Sequence, residues 1–268
     1  MNIITEDQIR QNVRSRYKEV ALQGITSSSC CSTEVNCCET SVAFDSESGK
    51  LGYSTDELSS VPVGANLGLG CGNPQAIAAL KSGEVVLDLG SGGGFDCFLA
   101  AKQVGDQGKV IGVDMTPEMI SKARLNAAKG GFTNTEFRLG EIENLPIPNE
   151  TVNVIISNCV INLSPNKPQV FKEAYRVLNS GGRLAISDIV TTAAELPTEI
   201  KNNIEDMYSG CISGASSITE LETMLKQSGF IDISIEPKDE SKEFIKDWVP
   251  GANIDKYIVS AVIKARKQ

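Results

Sequence analysis

The sequence predicts an α/β protein with a mostly parallel, doubly wound sheet, and three observations support this fold class. Short apolar runs alternate with amphipathic segments between residues 85 and 189, and repeated strand–helix units of this kind imply parallel strands. A glycine-rich turn follows the first run, which is typical of a buried strand that leads into a helix. Residues 231–236 and 256–265 instead alternate apolar and polar side chains, which predicts a pair of strands closing one edge, with an antiparallel edge strand.

The individual elements follow in order from residue 85. Strands are predicted at residues 85–90, 109–115, 135–140, 152–158 and 183–189, and helices at residues 93–103, 168–178, 195–209 and 217–228. A further helix has Thr116 as its cap and Pro117 near its start. An Asn-Ser-Gly-Gly stretch is expected to stop the helix at 168–178. The helix at 217–228 is expected to begin at Ser217 or Thr219 and to end at Gly229.

The chain before residue 85 has parts of different character. Residues 5–22 predict an amphipathic helix, because Val13, Tyr17 and Val20 recur at helical spacing. Residues 23–60 are rich in serine, glycine, cysteine and acids without a period, which predicts an irregular extension. We therefore expect an N-terminal helix with a cysteine-bearing extension, a doubly wound core, and a helical insertion with closing strands, at residues 1–60, 61–190 and 191–268.

The composition excludes several classes of function. The chain has 25 Lys and Arg against 34 Asp and Glu, a net charge of −9, whereas nucleic-acid-binding proteins carry clustered basic residues. The opening residues lack the pattern of a signal peptide, and no apolar run reaches membrane-spanning length. We therefore expect a cytoplasmic protein with no nucleic-acid and no membrane partner. The sequence has no histidine, which excludes Ser-His-Asp and Cys-His catalysis and histidine-ligated metals.

A glycine-rich motif stands at the end of the first predicted strand. The motif D-x-G-x-G-x-G covers Asp88, Gly90, Gly92 and Gly94, and glycines let backbone amides approach a ligand closely at a helix N-terminus. A nicotinamide fingerprint needs a third glycine where this sequence has phenylalanine or cysteine. The motif instead resembles the first motif of the class I methyltransferases, which have a Rossmann-like fold. The resemblance implies that this loop receives the methionyl group of S-adenosylmethionine.

Further residues fit the same resemblance in the same order along the chain. Asp114 ends the second strand, where an acid of that family accepts the ribose hydroxyls, and Met115 beside it would pack on the adenine. By position, Glu141 would accept from the adenine amino group, and the Ile142 amide would donate to the ring. Asn158 would close the pocket at the end of the fourth strand. The resemblance therefore implies a complete S-adenosylmethionine site.

Three of the eight cysteines lie close to predicted strand ends. Eight cysteines in a reducing cytosol favour thiol-based binding or redox chemistry over a disulfide framework. Cys159 follows the fourth strand and therefore lies at the ligand crevice of a doubly wound sheet. Cys71 precedes the first strand, and Cys211 follows the fifth, both on segments able to cover that crevice. Simple packing of these cysteines is the alternative, and it is the one we favour for Cys97.

The sequence around these cysteines resembles the arsenite methyltransferase family. The strings NLGLGCGNP, SNCVINLSP and SGC carry the resemblance, which extends from about residue 60 to residue 265. It implies that the thiolates of Cys71, Cys159 and Cys211 bind trivalent arsenic, which receives a methyl group from S-adenosylmethionine. It also implies arsenite or an arsenite–thiol conjugate as substrate, and a small thiol or a thioredoxin-like protein as reductant.

Two other functions remain open from the sequence. The LPIPNETVNVIISN region is shared with carbon- and oxygen-methyltransferases that act on small molecules such as quinones, and such an enzyme would not depend on its cysteines. A thiol-based arsenic or metal binder without turnover is the second alternative. The intact loop at Asp88–Gly94 and the acid Asp114 argue against it, because a binder has no need of a methyl-donor site.

The doubled cysteines near the N-terminus and the single tryptophan are harder to interpret. Cys30, Cys31, Cys37 and Cys38 lack the C-x₂-C spacing of zinc knuckles. Transient arsenic capture or disulfide exchange, zinc binding and no role all stay open for them. For Trp248, covering the substrate cleft and anchoring the final strand both stay open, and we favour anchoring.

Overall fold

The computed structural model describes residues 5–23, 46, 48–192, 211–249 and 253–268. Within these residues the strands are β1 (Val85–Leu89), β2 (Lys109–Asp114), β3 (Thr135–Leu139), β4 (Val152–Asn158), β5 (Leu178–Thr191), β6 (Ser216–Ser217), β7 (Ile231–Lys238) and β8 (Ile258–Arg266). They form one sheet in the order β3-β2-β1-β4-β5-β8-β7, with β6 paired to β5.

The helices lie between these strands and before them. They are α1 (Glu6–Gln23), α2 (Thr55–Ser59), α3 (Gln75–Ala78), α4 (Phe95–Val104), α5 (Pro117–Gly130), α6 (Lys167–Val177), α7 (Ile218–Gln227) and α8 (Lys242–Ile245). None of the helices in the described part of the chain has the length and apolar character that crossing a membrane requires. The helix predicted at 195–209 lies outside the described residues.

The topology confirms the predicted fold class. β3, β2, β1, β4 and β5 pair in parallel. β8 pairs antiparallel with β5 over nine positions, from Arg183–Arg266 to Thr191–Ile258, and with β7 on its other side. The predicted pair of closing strands is therefore present, and the antiparallel β8 lies one position in from β7. The strand order reverses between β1 and β4, which is where doubly wound sheets bind their ligands.

The sheet is buried on both faces by apolar side chains. Val86 and Leu87 are neighbours on β1 and point to opposite sides, as strand geometry requires. Leu87 packs in a cluster with Phe171 of α6, and Val86 packs in a second cluster with Phe98 of α4. Burial of each such side chain contributes roughly 1.5–3 kcal/mol. This two-sided core fixes the strand ends that carry the site.

The predicted start of the fifth strand was wrong. The Asn-Ser-Gly-Gly stretch was expected to separate α6 from a strand that begins at residue 183. It lies instead within β5, which begins at Leu178 directly after the helix. The pairing of β4 with β5 shifts register between Val152 and Val154, and this irregularity accommodates residues whose composition is typical of a turn. In the predicted irregular extension, Ser54 caps α2 through a capping box with Glu57.

The caps of the longer helices agree with the sequence in part. Thr116 precedes α5, but its side chain makes no capping hydrogen bond, and its backbone amide donates to Asp114 instead. Ser217, not Thr219, caps α7, with Glu220 completing a capping box. Immediately before α7, β6 pairs with β5. This pairing holds the end of the segment that carries Cys211 against β5.

Candidate active site

A cavity of about 680 Å³ opens at the carboxyl ends of β1, β2 and β4, where the topology predicts a ligand site. This volume is typical of small-molecule sites, which measure roughly 300–1,000 Å³. The predicted site residues that line it are Asp88, Gly90, Gly92, Asp114, Met115, Ile142, Asn158, Cys159 and Cys211. Gly94, Glu141 and Cys71 do not line it.

The glycine loop between β1 and α4 needs its glycines for two different reasons. Gly90 has a φ of 73°, and a Cβ there would lie 2.4 Å from the Val160 side chain. Gly92 has a φ of 50°, but a Cβ there would meet nothing within 4 Å, so this backbone is open to a ligand. Gly94 is the N-cap of α4. The loop therefore fits the close approach of a polar group to its amides.

The carboxylate of Asp114 is fixed by backbone amides at the end of β2. It accepts hydrogen bonds from the Gly92 amide at 3.0 Å and from the Thr116 amide at 2.8 Å. Burial raises the pKa of Asp114 above its usual value, and these two hydrogen bonds oppose the effect. The predicted contact of Asp114 with the ribose stays a prediction.

Two buried acids lie beneath the loop. Asp88 accepts a hydrogen bond from the Cys97 thiol at 3.2 Å, and burial with the nearby Asp96 raises the Asp88 pKa well above its usual value. Burial raises the pKa of Asp96 to about 6, although the Tyr53 hydroxyl donates to it at 2.8 Å. Cys97 is fully buried in the α4 cluster, as predicted. Asp96 and Tyr53 carry no sequence motif, and sequence reasoning missed them.

Glu141 faces α1. Its carboxylate lies 3.2 Å from Arg14 and 3.6 Å from Arg10, and the neighbouring Ile142 and Glu143 line the cavity in its place. The predicted contact of Glu141 with adenine stays a prediction. The two arginines tie the N-terminal helix to this end of the cavity.

Asn158 connects the cavity to the Cys71 segment. Its side-chain oxygen accepts from the Cys71 amide at 3.0 Å, and its side-chain nitrogen donates to the Gly72 carbonyl at 2.8 Å and to Tyr53 at 3.1 Å. On the far side, the Ser260 hydroxyl donates to the Cys71 carbonyl at 2.7 Å. Cys71 is thus held from two strands that are distant in sequence.

The three predicted cysteines come together in one buried cluster. Cys71, Cys159 and Cys211 are 2%, 8% and 2% exposed and share a cluster with Val13 of α1. The Cys159 thiol interacts with the thiols of both neighbours, and the sulfurs of Cys71 and Cys159 lie within 4.8 Å of each other and of an Asp188 carboxylate oxygen. Residues from three distant segments therefore present sulfur at one point.

The backbone at two of these cysteines is strained. Cys159 has a φ of 59° and Cys211 a φ of 67°, in the left-handed region that favours glycine. The Cys159 amide donates to Ser187 O at 2.8 Å, and the Cys211 thiol donates to Cys159 O at 2.7 Å. Strain of this kind concentrates at functional sites, and its presence here is a reason to look for function.

The pKa values of the three thiols are all raised, which favours their neutral forms. Burial raises the pKa of Cys71 above its usual value. For Cys211 the contact with Cys159 and then burial raise the pKa well above the usual value. For Cys159 the Cys211 contact lowers the pKa most, but the Cys71 contact and burial outweigh it, so this pKa is also raised. Three neutral thiols pack closely without mutual repulsion.

The cavity has further walls that the sequence did not identify. Val13 and Tyr17 of α1 and Trp248 line it. The amphipathic spacing of α1 indicated a buried face but not its partner. Trp248 also packs against the cysteine cluster, which includes Ile258 of the final strand, so covering the cleft and anchoring that strand both remain predictions for it. The four N-terminal cysteines lie outside the described residues.

Comparison with known proteins adds two findings from sequence. A family model described as a methyltransferase domain matches residues 80–229. An arsenite methyltransferase of Halobacterium salinarum is 53% identical over 268 residues, which cover 97% of this chain and 67% of that protein. The human arsenite methyltransferase is 42% identical over 154 residues, which cover 54% of this chain and 40% of the human protein. The matched part therefore covers about two thirds of the length of the Halobacterium protein and under half of the length of the human protein.

A solved structure is similar over most of the described fold. It is the crystal structure of an arsenic(III) S-adenosylmethionine methyltransferase from Chlamydomonas reinhardtii, with a TM-score of 0.62 and 31% identity. The similarity covers 83% of this chain and 73% of that chain. The shared part includes a Rossmann-like sheet of the kind described above.

Proposed function

The chain belongs to the arsenite methyltransferase family, whose members are S-adenosylmethionine-dependent class I methyltransferases, and from this premise we propose that it methylates trivalent arsenic held by three of its cysteines. The arsenic ligands in this proposal are the thiolates of Cys71, Cys159 and Cys211. The observation that carries the proposal is their convergence in one buried cluster, from which Cys159 and Cys211 line the same cavity as the glycine loop and Asp114.

Arsenite fits a cluster of neutral thiols. Soft sulfur ligands select soft, thiophilic centres, and the cluster offers three sulfurs without histidine or an exposed carboxylate. Each thiol exchanges its proton for an arsenic–sulfur bond, and one arsenic hydroxyl leaves with that proton as water. One arsenite and three thiols thus give the bound arsenic and three waters. The raised thiol pKa is no obstacle, because the hydroxyl leaving groups take up the protons.

The other half of the cavity fits S-adenosylmethionine. The loop at Gly90–Gly94 would hold the methionyl group, Asp114 the ribose, and Met115 with Ile142 the adenine. When bound, S-adenosylmethionine supplies an electrophilic methyl group to the arsenic lone pair. Arsenic has no proton to lose, so no general base is required of a chain without histidine. Alignment of two bound reactants can account for roughly 7–11 kcal/mol of a reaction barrier.

The proposed chemistry also requires a reductant and a reducing compartment. Addition of a methyl group to the lone pair raises the formal oxidation state of arsenic by two, so two electrons must come from thiols to restore the trivalent state. We propose a small thiol or a thioredoxin-like protein as their source. The cytoplasm keeps such thiols reduced, and it is the location we propose.

The test is arsenic speciation after incubation of the purified protein with arsenite, S-adenosylmethionine and a small thiol. Methylated arsenic is the expected product. Unmethylated arsenite together with bound cofactor would contradict the proposal and would favour a carbon- or oxygen-methyltransferase acting on a molecule such as a quinone.

The role of the cysteines is tested by replacing them one at a time. Cys159→Ser and Cys211→Ser should each abolish methylation and leave the affinity for S-adenosylhomocysteine within about twofold of wild type. Cys97→Ser is the matched control for arsenic binding, because Cys97 is buried in a different cluster and its loss should leave arsenic bound. Full methylation by either serine variant would rule out the three-thiolate site.

A further inference from the structure

Tyr17 is an aromatic residue of α1 with no assigned part in the reaction described above. Its partly buried side chain packs against the cluster that contains the three cysteines, and it also lines the cavity. The N-terminal helix thus contributes an aromatic wall at the boundary between the thiols and the rest of the cavity.

The neighbours of Tyr17 in the cavity define where this wall lies. Tyr17 lines the cavity together with Asp114 and Met115 at the end of β2 and with Cys159 and Cys211. The side chains of Tyr17 and Met115 both pack against the cysteine cluster. In S-adenosylmethionine the sulfonium joins the ribose to the methyl group that is transferred. A cofactor with its ribose at Asp114 and its methyl group directed to the thiols would have its sulfonium between them, in the cavity that Tyr17 lines.

The chemistry of Tyr17 is that of a neutral ring. Burial raises the pKa of Tyr17 well above its usual value. The phenol therefore stays protonated and is not a base at neutral pH. What it offers a ligand is a π face and a hydroxyl, and a π face attracts a cation but not a neutral group of similar size.

We propose that the ring of Tyr17 contacts the sulfonium of S-adenosylmethionine and selects the charged methyl donor over its neutral product, S-adenosylhomocysteine. The inference rests on the proposed function for the identity of the cofactor. It assigns to the N-terminal helix a part in donor selection. Neither the glycine loop nor Asp114 would supply this selection, because the amino, carboxylate and ribose groups are the same in donor and product.

The helix is held firmly enough for such a contact. Val13, one turn before Tyr17, is 2% exposed and packs among the cysteines. Arg14 pairs with Glu141 at 3.2 Å, and Lys18 pairs with Glu118 of α5 at 3.2 Å. Contacts before and after Tyr17 therefore fix the position of its backbone, as a specific contact with a ligand requires.

The test compares the dissociation constants of S-adenosylmethionine and S-adenosylhomocysteine by titration calorimetry, without arsenic, in wild type, Tyr17→Phe and Tyr17→Leu. Tyr17→Leu should weaken the donor about tenfold more than the product, because the π face is lost. Tyr17→Phe should keep the wild-type ratio of the two affinities. Tyr257→Leu is the matched control: Tyr257 packs against the same cysteine cluster but does not line the cavity, and its loss should leave the ratio unchanged.

Two outcomes would overturn the inference. Equal weakening of donor and product in Tyr17→Leu would make the residue a packing element only, and unchanged affinities would remove it from the site. If the leucine variant does not fold, pentafluorophenylalanine at position 17 keeps the shape and reverses the polarity of the ring face. This replacement should weaken the donor selectively, and a wild-type ratio there would overturn the inference equally.

The result is separable from a failure of the proposed function. A wild-type protein that binds the donor in a Tyr17-dependent way but leaves arsenite unmethylated would contradict arsenic methylation and support the Tyr17 contact. A wild-type protein that methylates arsenite, with an affinity ratio that does not depend on Tyr17, would do the opposite. A wild-type protein that binds neither cofactor form would overturn both.

Discussion

At the scale of single residues, the cysteines differ in what fixes them. Cys159 and Cys211 have left-handed backbone, with φ of 59° and 67°, and Cys71 does not. A residue with a side chain costs roughly 1 kcal/mol or more in that conformation relative to glycine. The surrounding fold maintains this strain, so the backbone itself aims two of the three sulfurs, and Cys71 depends on its hydrogen bonds to Asn158 and Ser260.

This difference predicts opposite preferences in glycine and alanine variants. Cys211→Gly should be more stable than Cys211→Ala by about 1 kcal/mol, because glycine adopts the left-handed backbone without strain. The matched pair at Cys71 should show the reverse order, since glycine there only adds conformational entropy to the unfolded chain. Urea unfolding of the four variants measures both differences. The same order at both positions would mean that backbone strain does not contribute at Cys211.

At the scale of elements, the sequence predicts what local patterns determine and misses what distant contacts determine. β4 matches its prediction at both ends, because an apolar run bounded by polar residues is a local signal. The predicted start of β5 was wrong, because Asn-Ser-Gly-Gly has turn composition, and a register shift accommodates it between Leu178 and Arg183, which both pair with β4. The Val13–Tyr17 face of α1 was visible, but its partners lie more than fifty residues away in sequence, and no periodicity identifies them.

The residues of the candidate site also divide into those that local patterns predict and those that only distant contacts bring together. The glycine loop, Asp114 and Cys159 follow strand ends, so topology alone brings them to one edge. Cys71 and Cys211 were assigned through resemblance, and their convergence became visible only in the folded chain. The division into segments 1–60, 61–190 and 191–268 stays a prediction.

The cap of α7 gives a prediction at this scale. Ser217 accepts from the Glu220 amide at 3.3 Å, and Glu220 accepts from the Ser217 amide at 2.8 Å. Ser217→Ala should lower the free energy of unfolding by about 1 kcal/mol. Thr219→Ala is the control and should be close to neutral, because the exposed Thr219 takes no part in the cap. Thermal or urea unfolding measures the stability of both variants. Equal losses of stability would show that substitutions at the start of α7 are destabilising in general and that Ser217 has no specific capping role.

At the scale of the whole molecule, the cavity lies between α1 and the ends of the sheet strands. Arg10, Arg14 and Lys18 pair with acids beyond α1, at Glu141, Glu143 and Glu118. These pairs are partly exposed and contribute little individually. Docking of α1 therefore depends mainly on its buried face, which is also a wall of the cavity, so binding of a ligand and docking of the helix stabilise each other.

Ligand binding should accordingly protect α1. S-adenosylhomocysteine at about 100 times its dissociation constant should raise the free energy of unfolding by about 2.7 kcal/mol. Hydrogen exchange of residues 6–23 should slow on binding, whereas exchange in α7, which lies outside the cavity lining, should change only as far as global unfolding contributes. Unchanged exchange in α1 with clear protection of the glycine loop would show that the helix is not coupled to the cofactor.

The hydrogen bond from Ser260 of β8 to the Cys71 carbonyl joins residues separated by 189 positions, and this separation has a consequence for the newly made chain. A ribosome that adds roughly 5–20 residues per second needs about 10–40 seconds to cover it. Throughout that interval Cys71 and then Cys159 have left the ribosome without the strand that completes their enclosure. Under arsenite stress we therefore expect nascent chains to present these thiols to arsenite before β8 has enclosed them.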